Sequence, residues 1–257
     1  MNRSRVQQPI TDPDAIVDAL RALWNAGGPQ DKYTQFIGNG RTTRPLAETR
    51  HGAPGPEGVA NPYWSIARQL PHTVDRGIPD VLGWSGQLDG LPVSREMLTH
   101  TYSFAIPSPG DIEFLVTMLD GRKVIEVGAG TGYWAWQLSQ QGVDVVAYDS
   151  HLWADEGRIA SGIQYHPVPQ GSVEKISEHP DRVLMLCWPD YNTPFADEAL
   201  KAFTGDVLIY IGEGWGGCTG DDAFGGRLSR EWGDPESSPS HVNFHGIHSH
   251  VGVYRRR

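Results

Sequence analysis

The segment Val124-Ile125-Glu126-Val127-Gly128-Ala129-Gly130-Thr131-Gly132-Tyr133-Trp134 leaves few options for the fold. An apolar run, a bend with glycine at alternate positions and a new amphipathic stretch read as strand, turn and helix. The same alternation continues on both sides. Apolar runs at 123–127, 143–148, 183–186 and 207–211 are separated by helical patterns at 111–119, from Tyr133, and at 195–203. These runs are continuous rather than alternating, so both faces of each strand are covered, as in a parallel sheet between helices. A last run, 246–254, follows the fifth strand without an intervening helical pattern and predicts an antiparallel terminal strand.

The bend needs glycine because a Cβ would obstruct a ligand lying on the backbone, and because such turns use positive φ. The helix that follows offers free N–H groups. A dinucleotide loop requires G-x-G-x-x-G. Here the glycines stand at 128, 130 and 132, and Tyr133 occupies the place the longer spacing needs. Glu126, two residues before the first glycine, suits an ammonium group better than a pyrophosphate. Asp149 ends the next strand, 19 residues after Gly130, where a carboxylate can accept from ribose hydroxyls.

Loop, Glu126 and Asp149 together resemble the first two motifs of class I methyltransferases that use S-adenosylmethionine (SAM). The resemblance spans residues 96–257. It implies a Rossmann-like α/β fold, with SAM held by Glu126, Gly128, Ala129, Gly130, Thr131, Gly132, Trp134, Asp149 and Ser150. By the same analogy the third strand's end flanks the adenine, which points to Gly171 and Ser172. A segment ahead of the first core helix closes over the cofactor, which points to Tyr102 and Ser108.

Ligands of open α/β sheets lie beyond the carboxyl ends of the strands. The fourth core strand ends in Trp188-Pro189-Asp190-Tyr191, similar to the Asp/Asn-Pro-Pro-Tyr segment of some methyltransferases, but with one proline missing and the carboxylate shifted. N-methylation therefore does not carry over. Trp188 is read as a cofactor contact, and Asp190, Tyr191, His245 and His248 as candidate proton acceptors. Asp221-Asp222 and the four histidines between 241 and 250 lack convincing ligand geometry, so no metal is expected.

Residues 1–95 read as a helical, loop-rich extension serving as a lid: a helix over 13–25, an irregular stretch over 38–62, a second helix over 63–76. The net charge of -10 argues against nucleic acid, and Arg255-Arg256-Arg257 reads as a solvated tail. No apolar stretch reaches the roughly 18 residues of a membrane span, and no signal segment opens the chain, so a cytoplasmic location is expected. Cys187 and Cys218 form no disulfide framework. Homodimerisation is compatible with the sequence and unspecified by it.

Nine Trp and nine Tyr suggest a ring-lined pocket. The reading is methyl transfer to a small aromatic or heterocyclic metabolite. The lid with Tyr, Asp and His candidates is similar to bacterial indole C3-methyltransferases acting on tryptophan-containing cyclodipeptides. A SAM-binding protein without catalysis, or an NAD-dependent oxidoreductase, are the alternatives.

Overall fold

The computed structural model describes residues 44–45, 60–68, 71–72, 95–151, 164–244 and 246–257. The helix expected over 13–25, and most of the irregular stretch over 38–62, lie outside these residues. β1 (Arg44–Pro45) and β2 (Pro71–His72) form a small antiparallel ladder around α1 (Pro62–Ala67) in the chain. Then follow α2 (Arg95–Thr101), α3 (Pro109–Leu119), β3 (Val124–Val127), α4 (Tyr133–Gln140) and β4 (Val145–Tyr148). A 3₁₀ turn (Val173–Glu178), β5 (Val183–Cys187), α5 (Phe195–Ala202) and β6 (Val207–Glu213) continue the alternation. α6 (Asp222–Glu231), β7 (Glu236–Ser237) and β8 (Ser249–Arg255) end it.

The main sheet has the order β4-β3-β5-β6-β8-β7. β4, β3, β5 and β6 run parallel, and β8 inserts antiparallel beside β6, with Val207 opposite Arg255 and Glu213 opposite Ser249. This is the α/β architecture the apolar runs predict. The third strand is reduced to one parallel bridge, Asp149 to Gln170.

The central strands β3, β5 and β6 are buried on both faces, and successive side chains enter different cores. Val183, Met185, Ile209 and Ile211 pack with Leu115, Trp134 and Leu138 of α3 and α4. Leu184, Leu186, Leu208 and Tyr210 pack with Ala199, Leu200 and Phe224 of α5 and α6. A third cluster sits apart from these two. It joins Tyr63, Trp64 and Ile66 of α1, Leu98 of α2, Tyr102, Ile106 and Tyr133 to Val242, Phe244 and Ile247 from the far end of the chain.

Polar contacts hold α1 in that cluster. The Tyr133 hydroxyl donates to Asn61 Oδ1 (2.8 Å) and accepts from Tyr63 N–H (3.0 Å). Asn61 also caps α1 by accepting from Trp64 N–H. The helix stops at Ala67, well short of the 63–76 expected from its pattern.

α3 begins two residues before its periodic apolar pattern, because Ser108 and Asp111 form a reciprocal capping box. Ser108 Oγ also donates to Ser240 O (3.0 Å). Ser108 is therefore committed to the helix start and to the 238–249 segment, not to a cofactor. Asp111, fully buried, lies 2.9 Å from His241 Nδ1, and His241 Nε2 lies 3.0 Å from Ser249 Oγ. The order Asp–His–Ser invites a hydrolytic reading, but the Ser249 hydroxyl donates to Asn243 Oδ1. Its proton points away from the imidazole that would have to take it, so the set is a structural staple.

Ser108→Ala removes the cap and one tether together. It is expected to lower unfolding free energy by about 1–2 kcal/mol in urea titration, with cofactor affinity unchanged.

Candidate functional site

β3 delivers the glycine bend at its carboxyl end, and α4 departs from it. Gly128, Gly130 and Gly132 all have positive φ, between 55° and 72°. At Gly132 a side chain has no room either: an added Cβ would lie 2.8 Å from Val168 and 3.0 Å from His166. At Gly130 nothing lies within 4 Å of that position, so conformation alone demands glycine there. Asp149, buried at the end of β4, clamps the bend: its Oδ2 accepts from Gly130 N–H (2.8 Å) and its Oδ1 from His151 N–H (2.7 Å). Thr131 Oγ1 donates to Tyr102 O, tying the bend to the segment ahead of α3.

The bend opens on a cavity of about 340 Å³. Glu126, Gly128, Ala129, Gly130, Thr131 and Trp134 line it from β3 and α4. Asp149, Ser150 and Ser172 line it from the β4 side, and Tyr102 from above. The loop after β5 adds Trp188 and Asp190. Three expected cofactor contacts fall outside: Ser108, already committed to the start of α3, Gly132 and Gly171. Gly132 faces the 166–168 segment, and Gly171 packs on Lys175 and Tyr148.

Glu126 has the least favourable environment in the cavity. It is 1% exposed, and its Oε2 has no hydrogen-bond partner among the described residues. Burial pushes its carboxyl up to about 8; the Ala135 N–H opposes this and the charge of Asp149 adds to it. Cys187, also in the cavity, has its thiol pushed up by burial and by Glu126, so it is no nucleophile.

Trp188 adopts φ 53°, a left-handed conformation that costs a non-glycine residue about 1 kcal/mol. The turn is held by Trp188 N–H donating to Ile211 O (2.7 Å), and the indole stacks on Phe104 at 5.9 Å and 18°. Strain of this kind, over-determined by its surroundings, concentrates at functional sites.

The candidate proton acceptors are dispersed. Asp190 lines the cavity. Tyr191, next in sequence, is exposed and lines a different one. His248 is exposed, lines neither cavity, and its N–H donates to Glu213 Oε1 (2.6 Å). His245 lies outside the described residues. Asp221 caps α6 by accepting from Phe224 N–H (2.8 Å). Among the described residues no group of His, Cys, Asp or Glu is placed to hold a metal. Lining residues that the sequence reading did not single out include His100 on α2, Phe104 beside Trp188, and Glu198 on α5. The closeness of His100 and Phe104 to Tyr102 in the chain could have suggested those two.

No protein-family model and no curated protein matches this chain. Solved structures resemble part of it. A TehB-like SAM-dependent methyltransferase from Corynebacterium glutamicum is 20% identical over 58% of this chain and 88% of its own, with TM-score 0.40. An O-methyltransferase from Bacillus cereus is 16% identical over 58% and 81%, with TM-score 0.37. A mutant of MtNAS in complex with S-adenosylmethionine is 13% identical over 63% and 65%, with TM-score 0.40. At such scores and identities none of these likenesses assigns a function; the cavity's own residues must.

A ligand that brings a cation to Glu126 must displace the proton held there. Between the ordinary glutamate range and about 8, the folded chain carries a proton that the unfolded chain has lost. Stability of the free protein therefore falls as pH rises through that window. Affinity for a cationic ligand is expected to rise roughly tenfold per pH unit up to about 8, with about one proton released on binding. Calorimetry in buffers of different ionisation enthalpy measures that release, and Glu126→Gln should abolish it.

Proposed function

We propose that this chain is a SAM-dependent methyltransferase acting on a small aromatic or heterocyclic acceptor. The observation that carries the reading is Glu126: a buried carboxylate with an unpartnered oxygen, beside a glycine bend, in the cavity that also holds Asp149. An adenosyl-amino acid fits these residues. Its ammonium would satisfy Glu126, its ribose hydroxyls would meet the remaining lone pairs of Asp149, and its carboxylate would approach the backbone N–H groups of the bend. A dinucleotide fits less well, because its pyrophosphate would face Glu126.

When bound, SAM supplies a methyl group already activated by a sulfonium. The protein's task is then to place the acceptor in line and keep water out. Tyr102, Phe104 and Trp188 provide flat apolar walls, which favour a ring. Asp190 is the candidate that can reach an acceptor proton in this cavity, and it would take that proton as the acceptor gains its methyl. Loss of an indole N–H proton to Asp190 would help C3 attack, so an indole such as that of a tryptophan-containing cyclodipeptide is the specific case to test.

Titration with SAM and with NADH tests the cofactor, and formation of S-adenosylhomocysteine across indole, phenol and amine acceptors tests the reaction. SAM binding without turnover on any acceptor would leave a binding protein. Asp190→Asn is expected to lower turnover roughly 100-fold or more while SAM affinity changes less than about threefold. His248→Ala, outside the cavity, should change neither.

A further inference from the structure

A second cavity, about 400 Å³, is separate from the methyl-transfer reading. The loop after β5 contributes to both: Asp190 and Thr193 line the first, Tyr191 and Asn192 the second. Gly220 pins this loop from the second side, donating to Pro189 O (3.0 Å) and accepting from Asn192 N–H (2.8 Å). Buried rings of Tyr210, Phe224 and Trp232 line the same space.

Tyr191 (66%) and Trp215 (68%) are the exposed large hydrophobic side chains among the described residues, and both line this cavity. Trp215 has a prepared seat. A Cβ on Gly225 would lie 3.2 Å from its ring, and one on Gly226 4.0 Å. The ring thus rests across two consecutive glycines inside α6. Glycine is among the poorest helix formers, so this seat is kept against the helix's own preference. One ring face meets the helix and the other is left open.

The charge around the rings is negative. Asp221, Asp222 and Asp234 line the cavity with Glu213, whose oxygens accept from Cys218 N–H and His248 N–H at 2.6 Å. Burial works against the Glu213 charge, but these donors outweigh it and hold the carboxyl below the usual range. Arg257 is the one lining guanidinium or ammonium among the described residues, and it donates to Ser229 O.

We propose that this cavity binds a flat organic cation, an aromatic ring bearing an alkylammonium group or an N-alkylated heterocyclic cation, stacked on Trp215 and Tyr191 with its charge toward Asp222 and Asp234. An aromatic face attracts a cation through its quadrupole, and the neighbouring carboxylates add Coulombic attraction and disfavour anions.

Calorimetric titration with tryptamine, N-methylquinolinium, 3-methylindole and indole-3-acetate tests this on the full chain. Each titration is run alone and with S-adenosylhomocysteine at saturation to fill the first cavity. Both cations should bind in both conditions, with indole-3-acetate at least about tenfold weaker. Trp215→Ala and Tyr191→Ala should each weaken the cations roughly tenfold and leave S-adenosylhomocysteine binding unchanged. Gly225→Ala should also weaken them by lifting the ring, while Tm stays level or rises, a combination that simple unfolding does not produce. Wild-type affinity in both aromatic variants, equal binding of the anion, or no binding of either cation would overturn the proposal. Failure of S-adenosylhomocysteine to bind would bear on the methyltransferase reading alone, since the cation titrations without it still decide this one.

Discussion

Two buried carboxylates stand close together at the carboxyl edge of the sheet, and much of the site follows from how differently they are treated. Asp149 is satisfied by two backbone N–H groups, so its charge doubles as a brace for the glycine bend. Glu126, one strand away, receives the Ala135 N–H and leaves one oxygen unpartnered among the described residues. Desolvating a carboxylate without compensation costs several kcal/mol. The free protein avoids that cost by keeping Glu126 protonated up to about 8, on a strand paired on both sides by β4 and β5 and packed on both faces. A cationic ligand would take the place of that proton.

Much of this was legible in the sequence for plain physical reasons. A strand covered on both faces must be continuously apolar, so the parallel core announced itself. Glycine at alternate positions marked the bend, and the distance from Gly130 to Asp149 matched one strand–helix–strand step. Ser108 was misread although its own signal was present: Ser108 and Asp111, three residues apart at a helix start, spell a capping box. The proximity of the pair to the cofactor motif in the chain suggested a ligand, but the local hydrogen bonds decided its role.

Other assignments were beyond the sequence. Asp190 and Tyr191 serve different cavities because the loop turns sharply between Trp188 and Asn192, both with positive φ, and while asparagine often adopts that conformation, tryptophan does not advertise it. His248 was plausible by residue type, but Glu213 holds its backbone at the edge of the sheet. Glu198 of α5 meets His100 and Phe104 only in space, across some ninety residues of chain. The single bridge that stands for a third strand explains why the adenine-side assignment split, with Ser172 in the cavity and Gly171 turned onto Tyr148 and Lys175.

The cluster that shares Tyr102 with the cavity joins α1 to Val242, Phe244 and Ile247, so its two halves are about 180 residues apart in the chain. Contacts of such long range form late, because closing so large a loop must precede any packing gain. On the ribosome, the glycine bend and its braces emerge well before Ile247 does. A nascent chain would thus carry the glycine bend before this cluster can close, and Tyr63, Trp64 and Ile66 would wait with their apolar faces wet. That stage, rather than the finished protein, is where this topology leaves the most apolar surface exposed.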